Sequence, residues 1–287
     1  MNAHVPAIKA ISAPTQFVES KGRRLAYRTL GQGQPIVLCV RYRAVMDEWD
    51  PLFLDSLAAN GLQVVIFDYS GLGQSTGERT YNPIALAQDA VDLIEALDLK
   101  DVIISGWSLG GMAAEVAVAF HPERISHAVL IGTTPPGPLV KLAEQLFFDT
   151  ATKPDYTLED NAILFFEPAS PASRAASDAS VARIAERTSD RSPRVDPYWA
   201  KENLGSGPVN PIFPADAVLE ALKTTKIPLL HIGGDHDIIF PIENWYALNG
   251  DLPTLQLLTY PAAGHGPQHE YPEACADYIA SFARTTG

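Results

Sequence analysis

The sequence predicts an α/β fold in which a mostly parallel sheet is covered by helices on both faces. Several short apolar runs lack polar alternation, which is typical of strands buried on both faces. Segments with helical spacing near residues 51–59, 83–97 and 109–120 separate several of these runs. Such alternation favours parallel strands joined by right-handed crossovers. The apolar runs cover residues 36–40, 62–67, 102–104, 127–131, 228–232 and 255–258.

A short hairpin is expected ahead of these runs. Residues 16–19 and 24–30 alternate polar and apolar side chains, and Lys21 and Gly22 lie between them. Alternation with a period of two is typical of half-buried strands, and a break that contains glycine favours a tight antiparallel turn. We therefore expect two edge strands at this end of the chain.

Residues 138–225 carry helical patterns only, and they interrupt the series of strands. Thr157 and Asp160 have the spacing of a capping box, which predicts the start of a helix. A Ser- and Ala-rich stretch allows one narrow helix face that includes Ala176 and Ala179. The helical patterns cover residues 139–148, 157–166, 173–187 and 215–222.

Aromatic side chains are frequent in this insertion. They have two explanations, since they either line a pocket beneath the insertion or belong to an ordinary apolar core. The sequence leaves both open. The residues concerned are Phe147, Phe148, Phe165, Phe166 and Trp199.

The composition is that of a globular protein that does not favour polyanionic partners. Hydrophobic residues make up 46% of the 287 positions and charged residues 19%, a balance that can bury a core. The 21 Lys and Arg against 34 Asp and Glu give a formal net charge of -13, which repels phosphate backbones and anionic lipid surfaces. We therefore expect no nucleic-acid partner and no membrane partner.

The cysteines and the first residues indicate the cellular context. Cys39 and Cys275 have neither the spacing of a disulfide framework nor that of a metal site, so two buried free thiols are expected. Residues 1–15 lack the basic start and apolar centre of a secretion signal. No window reaches the ~18 apolar residues of a membrane span. A cytoplasmic location is the expectation.

A Gly-x-Ser-x-Gly motif centred on Ser108 follows one of the apolar runs and precedes a helical stretch. In this strand-turn-helix context the serine acts as a nucleophile. The turn must be tight enough to expose the hydroxyl, and Gly106 and Gly110 allow the neighbouring backbone to approach. The start of a helix also directs partial positive charge at a developing oxyanion. Ser108 is therefore the candidate nucleophile, and the alternative is a serine that only caps the helix.

A serine hydroxyl is a poor nucleophile unless a base takes its proton, so a competent site also needs a histidine and a carboxylate. His265 lies in a glycine-flanked loop after the last apolar run, where an imidazole is free to project into a site. Asp237 follows the preceding run, which gives the chain order Ser, Asp, His. Three other histidines lie in or beside predicted helices and strands and are expected to be structural: His121, His127 and His231.

Four segments together resemble the α/β-hydrolase superfamily. The resemblance implies an eight-stranded sheet, a core domain of residues 1–137 and 226–287, and a helical cap or lid of residues 138–225. It also implies that the segment from Asp68 to Ser75 is a structural loop beside the site. The four segments are residues 67–75, 106–111, 234–241 and 263–266.

Two aspartates on one loop compete for the role of the acid that orients His265. The resemblance favours Asp237, because in the superfamily the acid follows a glycine by three positions and precedes a proline by four. Gly234 and Pro241 satisfy both counts for Asp237. Asp235 follows a Gly-Gly pair that is expected to break the strand, so it is expected to cap the turn instead.

The loop after the third strand departs from the family pattern. Many members carry His-Gly there, whereas this chain has Val40 and Arg41. If Val40 and Arg41 are aligned with this His-Gly pair, the oxyanion donors are the backbone N–H groups of Tyr42 and Leu109. Backbone donors do not depend on side-chain identity. Arg43 is expected to meet an acidic substrate or to hold the loop. The other explanation for both arginines is pairing with a carboxylate such as Asp47, Glu48 or Asp68.

These features predict a serine esterase or lactonase that forms an acyl-enzyme on Ser108. A serine at the elbow argues against the haloalkane dehalogenase and epoxide hydrolase branches, which use aspartate there. Carbon-carbon bond hydrolysis, cyanohydrin lyase activity and a ligand-binding receptor with little turnover stay open. No metal or organic cofactor is expected, since the catalytic triad generates its own nucleophile.

The expected partner is a small-molecule substrate, and a homodimer is one option for the quaternary structure. The candidate substrate contacts are Arg43, Trp107, Phe147, Phe165 and Trp199.

Overall fold

A computed structural model describes residues 9–286, and an eight-stranded sheet forms its centre. The strands are β1 (Gln16–Ser20), β2 (Arg23–Leu30), β3 (Gln34–Cys39), β4 (Leu62–Phe67), β5 (Val102–Trp107), β6 (Ile125–Ile131), β7 (Leu229–Gly234) and β8 (Leu255–Tyr260). Their order across the sheet is β1-β2-β4-β3-β5-β6-β7-β8. From β4 to β8 the neighbouring strands are parallel, whereas β2 is antiparallel to both β1 and β4. This architecture confirms the predicted fold class.

The predicted hairpin is present, but only one of its two strands lies at the edge of the sheet. β2 lies between β1 and β4, with Tyr27 opposite Phe67 in the register. Ala26, Arg28 and Leu30 share one face of β2 and are buried, while Tyr27 and Thr29 on the other face are partly exposed. The alternation of side chains therefore indicates a strand with one better-covered face, and it does not indicate that the strand lies at the edge of the sheet.

Helices cover both faces of the sheet. α1 packs against α11, and α2 packs against α3, so the helices form two separate groups. In residues 9–286 the α-helices are α1 (Pro51–Ala59), α2 (Pro83–Ala96), α3 (Leu109–Phe120), α4 (Gln145–Ala151), α5 (Leu158–Phe165), α6 (Pro171–Ala185), α7 (Pro197–Glu202), α8 (Asp216–Thr224), α9 (Glu243–Tyr246), α10 (Pro267–Glu270) and α11 (Pro272–Thr285).

The helices α4 to α8 form the insertion between β6 and β7. The capping box is confirmed, because the Thr157 hydroxyl accepts from the Asp160 N–H and the Asp160 carboxylate accepts from the Thr157 N–H. The helix expected from residue 139 begins only at Gln145, and α7 was not predicted. The division into a core domain and a cap stays a prediction.

The buried face of α6 consists of serines, which corrects the expected face through Ala176 and Ala179. Ser173, Ser177 and Ser180 are buried, whereas Ala179 is exposed and Ala176 is partly buried. Each serine hydroxyl has a hydrogen-bond partner outside α6, and these partners are Glu270 at 2.7 Å, Asn161 at 2.9 Å and His269 at 3.3 Å. A small hydroxyl allows close packing and also bonds, so polar contacts take the place of an apolar stripe.

A buried ion pair joins the sheet to the loop after β3. Arg28 Nη1 on β2 lies 2.6 Å from Asp47 Oδ1, and both side chains are almost fully buried. Arg187 Nε, just beyond α6, lies 3.3 Å from the same oxygen, and the Ser192 N–H donates to Asp47 Oδ2. The Asp47 carboxylate is therefore fully engaged, as a buried charge requires.

Cys39 and Cys275 are buried free thiols, as predicted. Burial raises the pKa of each thiol to about 12. Among residues 9–286, no helix combines the length and apolar character that crossing a membrane requires.

Candidate active site

Ser108 occupies a strained turn between β5 and α3. Its φ of 60° lies in the left-handed region, which costs a residue with a side chain about 1–3 kcal/mol and needs support from its surroundings. The support comes from backbone contacts, since the Ser108 N–H donates to the Ile131 carbonyl at 2.9 Å. The Thr133 hydroxyl donates to the Ser108 carbonyl at 2.7 Å. The turn therefore holds the serine side chain at the carboxyl end of the central strands.

The glycines of the motif are required by close backbone approach. A Cβ on Gly106 would overlap the Gly110 carbonyl, and a Cβ on Gly110 would overlap the Cys39 carbonyl at the end of β3. A side chain at Gly106 would displace the start of α3, and one at Gly110 would push the turn away from β3. Close packing thus explains why the motif has a glycine at each of its ends.

His265 and Asp237 form a buried hydrogen-bonded pair. His265 Nδ1 lies 2.8 Å from Asp237 Oδ2, and both side chains are about 1% exposed. Asp237 Oδ1 accepts from the backbone N–H groups of Ile239 and Phe240, each at 2.9 Å. Burial opposes ionisation of Asp237, but the charge and hydrogen bond of His265 and the two N–H groups outweigh it, so the net pKa of Asp237 is lowered. The acid is therefore held as a carboxylate that faces Nδ1 of the imidazole.

Asp235, the rival acid, lies elsewhere on the loop. It is exposed and its Oδ1 lies 2.8 Å from Nδ1 of His236, which is also exposed. Its backbone N–H donates to the Tyr260 carbonyl. Within residues 9–286, Asp237 is the carboxylate paired with His265.

Aromatic rings hold the His265 imidazole. Phe165 stacks on it with ring centroids 6.3 Å apart, and Phe240 and Trp107 contact it at 5.5 Å and 5.9 Å. Trp107 Nε1 also donates to the His265 carbonyl at 2.8 Å. The ring therefore has little freedom to rotate away from Asp237.

The His265 loop also packs on the strand that supports Ser108. A Cβ on Gly132 would lie 3.3 Å from His265 Nδ1, and the preceding residue, Ile131, accepts the Ser108 N–H. The serine turn and the histidine loop are thus held by adjacent residues at the end of β6.

A cavity of about 560 Å³ opens above Ser108. Its walls are mostly apolar, and residues 203–209, in the loop between α7 and α8, form the part of its lining that we call the roof. No charged side chain of the described chain lines it. The lining residues outside the roof are Tyr42, Tyr81, Pro83, Ser108, Leu109, Met112, Phe147, Phe148, Ile212, Ile239 and Phe240.

Two backbone N–H groups are unused at the floor of this cavity. Leu109 is the first residue of α3, so its N–H has no intrahelical acceptor. The Tyr42 N–H likewise donates to no acceptor among residues 9–286, whereas the next N–H, that of Arg43, donates to the Tyr81 hydroxyl at 3.0 Å. Both residues line the cavity with Ser108.

The predicted substrate contacts are divided between the cavity and its surroundings. Phe147 lines the cavity. Trp107 and Phe165 do not, because both lie against His265 and are buried there. Trp199 lies outside the cavity wall and packs against Tyr81 at a tilt, with ring centroids 4.7 Å apart. Of these four candidate contacts, Phe147 therefore lies at the cavity with Ser108, whereas Trp107, Phe165 and Trp199 do not line it.

Arg43 holds the loop and does not face the cavity. Its guanidinium donates to the carbonyl of Ala151 at the end of α4 and to those of Lys153 and Pro154 between α4 and α5. It also lies over the Tyr156 ring, 4.4 Å from the centroid. Of the two roles considered for Arg43, contact with an acidic substrate has no support in this geometry.

Several cavity residues had no signal in the sequence. Tyr81 and Met112 reach the cavity from α2's preceding loop and from α3, and the roof loop arrives from the insertion. Phe240 is the exception, since it follows Asp237 by three residues and its place near His265 could have been inferred. In residues 9–286, no three or more His, Cys, Asp or Glu side chains are grouped so as to hold a metal ion.

A family comparison agrees with the fold. Residues 34–272 match the family described as the alpha/beta hydrolase fold. The chain therefore belongs to the α/β-hydrolase family.

Relatives of this chain have different names. A non-heme haloperoxidase of Rhodococcus erythropolis is 27% identical over 275 residues, which cover 86% of this chain and 91% of that protein. The solved structure of an alpha/beta hydrolase fold protein from Chitinophaga pinensis is 28% identical, with a TM-score of 0.82 over 97% of this chain and 100% of that one. A thermophilic esterase from Thermogutta terrifontis matches with a TM-score of 0.71 at 19% identity, over 96% and 99% of the two chains, which concerns the fold alone.

Proposed function

We propose that this protein is a serine hydrolase that cleaves neutral carboxylic esters or lactones through an acyl-enzyme on Ser108. The observation that carries the proposal is the buried Asp237–His265 pair beside a strained serine at the floor of an apolar cavity. The strain at Ser108 exposes a hydroxyl, and the pair supplies a base with a fixed orientation.

Each residue has a defined role in this proposal. With its Nδ1–H donated to Asp237, His265 presents the lone pair of Nε2 and takes the Ser108 hydroxyl proton as Oγ attacks the ester carbonyl. The N–H groups of Leu109 and Tyr42 stabilise the oxyanion of the tetrahedral intermediate. The imidazolium then gives its proton to the departing alkoxide. Water, deprotonated by His265, attacks the acyl-enzyme and releases the carboxylic acid and free Ser108.

The cavity favours an uncharged, apolar substrate. No charge lines it within the described residues, so a charged group would lose its hydration without gaining a partner. Each methylene buried against the aromatic walls contributes roughly 0.8 kcal/mol to binding. A cavity of about 560 Å³ accepts a medium-length or aromatic acyl group.

A second candidate function comes from the Rhodococcus erythropolis relative, which is named a non-heme haloperoxidase. If hydrogen peroxide attacked the acyl-enzyme in place of water, the products would be a peracid and free Ser108. The peracid would oxidise a halide to hypohalous acid and leave the carboxylic acid. Halide oxidation that requires both peroxide and a carboxylic acid, and that is lost with Ser108, supports this candidate.

The proposal is tested by substituting Ser108 and by labelling it. Ser108→Ala should lower turnover of a chromogenic ester by about 10⁶, as the loss of the nucleophile does in a comparable hydrolase. A fluorophosphonate probe should label the wild type and not the variant. A ligand-binding receptor with little turnover would hydrolyse no ester and would remain unlabelled.

Ser206→Ala is the matched control, because Ser206 is an exposed serine that lines the same cavity. We expect it to keep the labelling and at least about half of the wild-type rate, as surface substitutions usually do. If Ser108→Ala retains a tenth of the wild-type rate in protein free of host esterase, the proposal is wrong.

A further inference from the structure

A second, smaller cavity lies behind the loop that carries Tyr42. Its volume is about 110 Å³, and it shares no lining residue with the cavity above Ser108. Its charged lining residues are three arginines and two carboxylates, and we call it the arginine pocket. These residues are Arg41, Arg43, Arg194, Glu48 and Asp155.

Arg41 is the buried arginine of the arginine pocket, and its guanidinium lies over the Phe165 ring, 4.3 Å from the centroid. The residue is 8% exposed, and its Nε is buried with no hydrogen-bond partner. Its Nη1 donates to the Tyr42 carbonyl at 2.9 Å, but Nη2 lies 3.5 Å from Glu48 Oε2. Charge-assisted bonds normally measure about 2.7–2.9 Å, so Glu48 is an incomplete partner. A buried guanidinium with unused donors calls for an additional acceptor.

The other two arginines add positive charge without an ion pair of their own. Arg43 is fixed by three backbone carbonyls and the Tyr156 ring, none of which neutralises it. Arg194 is exposed and forms no ion pair or side-chain hydrogen bond with residues 9–286. Asp155 also lines the pocket but pairs with neither arginine there. Burial lowers the pKa of Arg41, and the neighbouring charge of Arg43 adds to that effect while Glu48 opposes it.

We propose that the arginine pocket binds one compact oxyanion, either a short carboxylate or a phosphate-like ion. Three cations against two carboxylates leave an excess of positive charge in a protein whose formal net charge is -13. Guanidinium groups bind planar carboxylates and phosphate oxygens through paired N–H donors. A volume of about 110 Å³ has room for a compact ion with a few water molecules.

Calorimetric titration with two probes tests this inference. The wild-type protein is titrated with inorganic phosphate and separately with acetate, with chloride holding the ionic strength constant. We expect one saturable site, and the tighter of the two probes identifies the class of ion. The thermal midpoint should rise with the concentration of that probe, because an ion that binds only the folded state stabilises it.

Arg194→Gln is the decisive variant, because Arg194 is exposed and its removal leaves the buried structure intact. We expect its affinity for the probe to be about tenfold lower or worse, the loss expected for one charge-assisted contact. Arg194→Lys should recover part of it. Arg284→Gln is the matched control, since Arg284 is exposed on α11 and does not line the pocket. Its affinity should equal that of the wild type.

Two results would overturn the proposal. One is the absence of saturable binding for both phosphate and acetate. The other is an unchanged affinity in Arg194→Gln, which would put the bound ion at another site. Neither result bears on Ser108, so the proposed hydrolase activity stands or falls separately.

Discussion

Replacing Asp237 by Asn should abolish most of the activity and leave the fold intact. Asp237 accepts three hydrogen bonds, two from backbone N–H groups on Oδ1 and one from His265 on Oδ2. Asn can keep both backbone bonds through its carbonyl oxygen. Its amide nitrogen, however, is a donor, so His265 must offer a lone pair at Nδ1 and carry its proton on Nε2.

The magnitude follows from this change of tautomer. A proton on Nε2 faces Ser108 and leaves no base for the serine hydroxyl, and the same substitution in a serine protease lowers turnover by about 10⁴. Asp237→Asn should therefore lower turnover by more than the loss of one oriented hydrogen bond would. Asp235→Asn is the control on the same loop, because Asp235 is exposed and pairs with His236. It should change turnover by no more than about twofold, as for other exposed sites.

The assay is the initial rate of chromogenic ester hydrolysis by each variant, compared at equal folded fraction from circular dichroism. Far-ultraviolet spectra that match the wild type verify that the fold is kept. The reasoning is refuted if Asp235→Asn lowers turnover more than Asp237→Asn, or if the two variants lose similar amounts.

Three further predictions concern the cavity, the core and the response to acid. Phe147→Ala should raise the rate ratio of long to short acyl esters by about fourfold for each methylene that enters the new space, whereas Trp199→Ala should leave the ratio unchanged. Arg28→Met should lower the free energy of unfolding in urea by about 3 kcal/mol, because it strips a buried carboxylate of its closest cation. The exposed Arg24→Met on the same strand should cost less than about 1 kcal/mol. Burial lowers the pKa of His231 from 6.5 to about 3, so the unfolded chain takes up the proton first and stability falls below pH 6.5. The loss between pH 7 and pH 5 should be about 2 kcal/mol, and His231→Phe should show that much less acid sensitivity in calorimetric unfolding.

Local patterns in the sequence predicted the sheet and the serine turn. The apolar run at residues 62–67 coincides with β4, in which every residue except Gln63 is buried, as in a strand covered on both faces. The Gly-x-Ser-x-Gly motif predicted the turn because each of its glycines is required by a close contact, one within the motif and one with the adjacent strand. Such features depend mainly on the residue types within a short segment, so they can be predicted from the sequence.

Features that depend on contacts between distant parts of the chain could not be predicted from local sequence patterns. Gly234 was expected to break its strand, but β7 runs through it, and the glycine is needed because a Cβ there would overlap the Ala263 carbonyl. The roof of the cavity comes from the loop of residues 203–209, which no period or motif connects to Ser108. α7 is different, since Asp196 before Pro197 is a helix-start signal that the sequence itself contains.

The serine-lined face of α6 limits how the insertion can change. An apolar stripe tolerates some sliding and rotation of a helix, whereas a hydroxyl bond is kept only near one distance and direction. Ser173 and Ser180 bond Glu270 and His269 on α10, a few residues beyond His265. Adding or removing one residue within α6 would turn one of these hydroxyls by about 100° and break its bond. The exposed loops of the insertion can therefore vary in length while α6 keeps a fixed axial register beside the histidine loop.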